Sequence, residues 1–308
     1  MTKILIIKLG YSETLDSEVG KIVSLGDVLR TTPILEALKE KYIDSEVVFL
    51  TDKKAEGLVS QNPFIDKLLI WDEFIGFLLL KEKYDIVINL EKHPGICALA
   101  DMIEAWQKYG FRFLSHSGKI DEYNKNVSFI DYINNKSYKK DYWQKILIEH
   151  LGVKWKEQKY SLGYKPKSKE KYDIGLNYQV GSKWPTKSMT IDRWEKLHDE
   201  LVSLGYRVTW QEGLDSLYDY IDWINSSKLI ISQDSLGLHL AMALEKKIVG
   251  LFGATDYKEI YPYGGVRFLN NDVKCEIMPC YKPVCINDKF CMDEISIDKI
   301  INNVKELI

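Results

Sequence analysis

IISQDSLGLHLAMALEKKIVGLFGATD, residues 230–256, decides the fold. An apolar run ends at Asp234, Ser235 and Gly237 lead into a helical pattern, and a second apolar run ends in Gly253-Ala254-Thr255-Asp256. Two such runs joined by a helix read as parallel strands with a right-handed crossover. Ligands in sheets of this kind sit beyond the carboxyl ends of the strands, which makes residues 234–237 a candidate anion site. The first N–H groups of the helix and its positive dipole end would face a diphosphate there. Ser235 would add a hydroxyl, and Gly237 would allow close backbone approach. The same Asp-Ser start also serves as an ordinary helix cap. His239, one turn in, reads as a packing histidine unless the ligand lies beside it.

The alternation extends outward in both directions. Residues 3–9, 45–51, 66–72 and 84–91 read as strands, with a helix over 26–42 and helical stretches near 53–61, 73–82 and 95–108. A Lys-rich stretch, 160–173, reads as a linker. Beyond it, strands are expected at 172–178, 206–210, 228–234 and 248–253, with helices over 188–205, 216–227 and 235–247. The expected fold class is α/β, two Rossmann-like domains (1–165 and 166–308) facing each other across a cleft, with the last helix a candidate to pack back on the first domain. Residues 114–141, rich in Asn, Lys, Ser and Tyr, give no clear pattern.

Bulk properties agree. A chain of 308 residues suits two domains. Lys+Arg 42 against Asp+Glu 45 leaves a net charge of −3, which gives no basic face for nucleic acid. No stretch approaches the roughly 18 apolar residues of a membrane span, and MTKILIIKLG reads as a strand and not a signal peptide. The expected location is cytoplasmic, where disulfides are rare.

A second candidate loop lies in NYQVGSKWPTKSMTIDRW (177–194), where Gly181, Ser182, Lys183, Thr186 and Lys187 precede a helix. Hydroxyls and a lysine suit a diphosphate, but the P-loop spacing is absent. Alone, a solvated Lys/Ser loop explains it as well. The third is IIKLGYSETLDSEVGKIVSLGDVLRTTP (6–33), where a polar interlude over 10–23 interrupts the first strand–helix joint. A loop of that length suggests a lid or an acceptor-binding element. Asp27, directly after Gly26, would project into the cleft or else cap the helix that follows. Lys8 ends the first strand, Lys92 and His93 follow the strand at 84–91, and Glu212 follows the strand at 206–210, placed to accept from ribose hydroxyls.

Four cysteines, Cys275, Cys280, Cys285 and Cys291, lie in CEIMPCYKPVCINDKFC (275–291). Their spacing is not the C-x₂-C pairing of structural zinc, so a Cys₄ metal site and a reduced, packed loop both stand as readings. Cys97 reads as a core residue.

Three stretches together, SLGDVLRTTPILEALKEKY, GSKWPTKSMTIDRWEKL and LIISQDSLGLHLAMALEKKIVGLFGATD with YPYG after it, resemble glycosyltransferase family 9, the ADP-heptose:lipopolysaccharide heptosyltransferase family. The resemblance implies a GT-B fold with the acceptor mostly on the first domain and the nucleotide sugar mostly on the second. It also implies inverting transfer of heptose or a related sugar from an ADP-sugar, with no cofactor and no nucleotide-binding metal. The acceptor would be a hydroxyl of lipopolysaccharide core, another surface glycan or a protein, with peripheral contact at the inner membrane face. By motif, Asp27 falls on the family's catalytic aspartate and Lys187 on its phosphate-binding lysine. Asp234, Ser235, Leu236, Gly237 and His239 fall on the nucleotide-sugar loop, with Gly181, Ser182, Thr186 and Glu212 as further donor-side candidates. Lys8, Gly26 and His93 are the acceptor-side candidates. Cysteine-rich tails occur in many members, and some protein-modifying members bind iron through one. Two departures stand out: Leu236 takes a position usually held by glycine, and a helix–strand unit usual after the strand at 206–210 is missing. The alternatives are a sugar-nucleotide epimerase on the same fold and a non-catalytic nucleotide-sugar-binding subunit.

Overall fold

Apolar runs without polar alternation form strands covered on both faces, and two parallel sheets result. The computed structural model describes residues 1–11, 22–123, 127–134, 141–271, 275–287 and 290–308, so most of the 10–23 interlude lies outside the described residues. It divides into two units, Met1–Tyr164 and Lys165–Ile308.

The first unit holds β1 (Thr2–Ile7), β2 (Ser45–Thr51), β3 (Lys67–Ile70), β4 (Lys83–Asn89), β5 (Glu104–Leu114) and β6 (Lys119–Glu122). Their order is β3-β2-β1-β4-β5-β6, with only β6 antiparallel. Leu5, Ile7, Val48 and Val87 pack on one side against Ile96, Ala100 and Ile103 of α5 (Pro94–Met102) and its end. The order reverses between β1 and β4, so the loops after those strands flank a switch point.

Two expectations fail here for physical reasons. The helix expected over 26–42 is two helices, α1 (Leu25–Leu29) and α2 (Pro33–Lys41). Pro33 has no N–H to donate to Leu29 and starts a new helix. The Thr31 and Thr32 hydroxyls donate instead to the Val28 and Leu29 carbonyls, each at 2.7 Å. The helical stretch expected over 95–108 ends at Met102, and β5 follows at once.

The second unit runs β7 (Tyr172–Asn177), α8 (Ile191–Ser203), β8 (Val208–Trp210), α9 (Leu217–Asn225), β9 (Ser227–Gln233), α10 (Leu236–Ala243), β10 (Lys247–Phe252), β11 (Val266–Asn270) and α11 (Ile297–Leu307). The first unit's α3 (Glu56–Val59), α4 (Ile75–Leu79), α6 (Phe129–Asn134) and α7 (Trp143–His150) complete the helices. The second sheet is ordered β11-β10-β9-β7-β8, all parallel, with its switch point between β7 and β9. Among the described residues, the outer strand β3 of the first sheet has no counterpart: the chain passes from β8 straight to α9 and β9. The missing helix–strand unit is thus an absent edge strand. Helix α11 sinks Ile297, Ile300, Ile301 and Val304 into the core with Trp194, Leu197 and Leu201 of α8. These apolar side chains are buried within its own unit. No described helix is long and apolar enough to cross a membrane.

Candidate functional site

At the switch point of the second unit the strand ends converge on Asp234. Lys187, at the end of a 3-10 turn (Pro185–Lys187), donates its Nζ to Asp234 Oδ2 at 2.7 Å. The Thr255 hydroxyl, beyond β10, donates to the same oxygen at 2.7 Å, and His239 Nε2 lies 3.9 Å from Oδ1. Burial opposes charge on Asp234, but the Lys187 ammonium, followed by His239 and the hydrogen bonds, holds its carboxyl well below the usual carboxylate range. The group is a carboxylate at neutral pH, and it pins the lysine beside the start of α10.

The expected capping of α10 does not occur. Ser235 occupies the cap position, yet no side chain there accepts from the helix N–H groups. The Asn177 amide donates to the Ser235 and Ser232 hydroxyls, each at 2.8 Å, and its oxygen accepts from the Tyr220 hydroxyl. Gly237 is needed at this contact, since a Cβ there would lie 2.4 Å from the Asn177 amide. Its small size therefore serves packing of α10 against β7. Of the other donor-side candidates, Leu236 is half-buried, Gly181, Ser182 and Glu212 are exposed, and Thr186 is buried with its hydroxyl donating to the Lys282 carbonyl at 2.5 Å.

In the first unit Asp27 lies in the first turn of α1, three residues past the cap residue Ser24, so it is not a cap. Its carboxylate is 45% exposed, with Arg30 Nη1 at 3.6 Å from Oδ1. Gly26 precedes it in the same turn. Lys8 is buried, its Nζ 3.0 Å from Glu91 Oε1 and donating to the Leu90 carbonyl at 3.3 Å. Glu91 Oε1 also accepts the N–H groups of Leu9 and Gly10 at 2.9 and 2.8 Å. The Gly10 carbonyl accepts the Ser24 N–H at 2.7 Å, and the Ser24 carbonyl accepts the Asp27 N–H at 3.0 Å. The two ends of the interlude thus meet, and a hydrogen-bonded chain runs from Glu91 to Asp27. Gly10 sits at φ +86°, where a side chain would be strained and would crowd the Ser24 carbonyl. His93 occupies the cap position of α5, with its ring edge toward Tyr11 and its buried Nδ1 without a hydrogen-bond partner.

A family model described as Glycosyltransferase family 9 (heptosyltransferase) matches residues 213–290. Lipopolysaccharide heptosyltransferase 1 of Campylobacter coli is 24% identical, over 93% of this chain and 97% of its own. Residues 213–290 thus match glycosyltransferase family 9, and the chain resembles a heptosyltransferase along most of its length. Solved structures share the fold at low identity. A family 9 glycosyltransferase from Veillonella parvula superposes with a TM-score of 0.68 at 21% identity, covering 99% of this chain and 97% of that one. The E. coli heptosyltransferase WaaC with ADP-2-deoxy-2-fluoro heptose superposes with a TM-score of 0.65 at 13% identity, covering 99% of each.

The C-terminal cysteines surround a packed thiol. A Cβ on Gly253 would lie 2.7 Å from Cys291 Sγ, so that thiol rests on the backbone just past β10. Asn287 donates to Cys275 Sγ at 3.3 Å, and the Cys285 thiol lies 3.8 Å from the Asn287 carbonyl. Among the described residues no three Cys, His, Asp or Glu side chains are grouped to hold a metal ion. Cys97 is buried, as a core residue should be.

Glu91, Asn177, Tyr220, Gln233 and Thr255 escaped the sequence reading of the sites. Glu91 had one signal, an acid directly after a buried strand. Thr255 had another, a hydroxyl at the end of the strand quoted first.

Proposed function

We propose that this chain is a family 9 glycosyltransferase that transfers heptose, or a related sugar, from an ADP-sugar to an acceptor hydroxyl of lipopolysaccharide core with inversion at the transferred carbon, acting in the cytoplasm. The observation that carries this reading is the Lys187–Asp234–Thr255 cluster beside the start of α10, whose cap residue Ser235 makes no capping bond. A diphosphate leaving group gathers charge as the glycosidic bond breaks, and a fixed ammonium beside the positive dipole end of α10 stabilises that charge. Asp234 and Thr255 keep the cation in place before the donor arrives, so little reorganisation accompanies the reaction.

Inversion needs one base to take the acceptor proton while the diphosphate departs from the opposite face. Asp27 suits that role: its carboxylate is accessible, its backbone is fixed through Ser24 and Gly10, and Arg30 stands 3.6 Å from it. His93, at the start of α5, is the further acceptor-side candidate of this unit. Lys8 neutralises Glu91, so its contribution to the acceptor is indirect, through the shape of the loop.

The test is ADP release from ADP-heptose with a core oligosaccharide acceptor. Asp27→Asn should lower kcat by about 10²–10⁴, the usual worth of a general base, with donor affinity retained. Lys187→Ala should weaken ADP binding as well as turnover. An Asp27→Asn enzyme as fast as the wild type removes the proposed base.

A further inference from the structure

The loop carrying Lys187 leaves β7 at Tyr178 and reaches the cap of α8 through Met189. Its own backbone bonds are short-range: Trp184 N–H to the Gly181 carbonyl, Lys187 N–H to Trp184 and Ser188 N–H to Pro185, at 3.2, 3.1 and 3.0 Å. None of these ties one end of the loop to the other. The last residue of β9 does. Gln233 is fully buried, its Nε2 donates to the Tyr178 carbonyl at 2.6 Å, and its Oε1 accepts the Met189 N–H.

We infer that Gln233 is a positioning residue for donor binding: its amide closes the neck of the 178–189 loop and thereby sets where the Lys187 ammonium stands. The inference rests on the reading of Lys187 as a diphosphate ligand. A primary amide is suited to the task because it offers a donor and an acceptor on one short planar group. Glutamate would keep only the acceptor and turn a carboxylate oxygen toward the Tyr178 carbonyl; methionine, of similar length, would leave both backbone groups buried and unpaired. Gln233 also directly precedes Asp234, so one strand end fixes both the loop and the carboxylate that receives its lysine. At the far side the loop is held by the Thr186 hydroxyl on the Lys282 carbonyl. A loop fixed at neck and tip keeps its lysine in one place.

The experiment is a double-mutant cycle on ADP binding, read by calorimetry, with melting temperature as the check on folding. Gln233→Met should weaken ADP by about tenfold in the wild-type background and leave the already weakened Lys187→Ala protein unchanged, because coupled residues do not add. Gln233→Glu, which keeps the Met189 contact, should fall between wild type and Gln233→Met, and it carries the test if Gln233→Met does not fold. Equal weakening in both backgrounds, or an unchanged affinity in a folded Gln233 variant, overturns the inference while leaving the role of Lys187 intact. A Lys187→Ala protein that binds ADP like the wild type overturns the reading of Lys187 and this inference with it.

Discussion

Glu91 and Gln233 sit at equivalent places, at or just past the end of the strand beside the first strand of each unit, and each holds the mouth of that strand's loop. Lys187, Asp234 and Asp27 stand out in the sequence through the family resemblance and their place beside strand ends. The two loop clamps do not. Which side chain closes a loop depends on the register of strands some 50 to 80 positions apart, Ile7 beside Asn89 and Asn177 beside Ser232, and no local pattern carries that register. The thiols show a second effect of surroundings at this scale. Burial pushes the Cys97 thiol up to about 12, and burial with the nearby Cys280, Cys285 and Cys275 thiols pushes Cys291 up to about 11. Because the thiolate is the reacting species, iodoacetamide at pH 8 should label Cys97 and Cys291 last. Peptide mapping by mass spectrometry checks this, and Cys291 labelling as fast as Cys285 contradicts it.

At the scale of elements, β5 was the clearest misreading. Residues 95–108 carry a helical pattern in their first half, and that reading takes in the first part of β5, EAWQK at 104–108. What makes the segment a strand is non-local: it pairs along β4 from Lys83 beside Glu104 to Asn89 beside Gly110, burying Tyr109 and Phe111. Where the pairing ends the backbone must bend, and Gly110 takes φ +83° directly over the Asn89 carbonyl. The Gly110 N–H donates to His150 Nε2 at 3.0 Å, so the bend also docks α7. A Cβ at this position would stand 2.0 Å from the Asn89 carbonyl oxygen, which no side-chain adjustment relieves. Gly110→Ala should therefore cost about 3 kcal/mol or more, combining the strain of a positive φ with the clash. Urea unfolding measures it, and a loss under about 1 kcal/mol would mean that the bend relaxes freely. The α1–α2 break belongs here too, and it was readable in principle, since Pro33 cannot sit inside a continuous helix.

For the whole molecule, the βαβ alternation was enough to read two α/β units, because parallel strands buried on both faces leave long apolar runs. The β5–β6 extension and β11 were not read, since their pairing is decided across the sheet. The behaviour of the entire chain with pH follows from which groups its folding shields. His150 is buried, with Nδ1–H donating to the Val127 carbonyl at 2.7 Å and Nε2 accepting from Gly110. Burial, only partly offset by the Val127 bond and Glu122, lowers its pKa from 6.5, so the fold holds the ring neutral. The unfolded chain then takes up this proton first as pH falls. Stability from this group is fully present above 6.5 and is lost as pH falls from there toward the folded value. Glu91 acts in the opposite sense: burial raises its pKa despite Lys8 and the two N–H bonds, so its contribution declines as pH rises above 4.5. Asp173, held down by Arg207 and Lys228, and Asp234 lose their contributions only below 3.8. The His150 effect is thus isolated as a difference between proteins over pH 7 to 5. Wild type should lose up to about 2 kcal/mol more over that range than His150→Gln, which keeps a donor and an acceptor but does not titrate. Parallel stability curves for the two proteins would mean that His150 is protonated equally readily in the folded and unfolded chains, and that the Gly110 N–H does not need a neutral ring nitrogen to receive it.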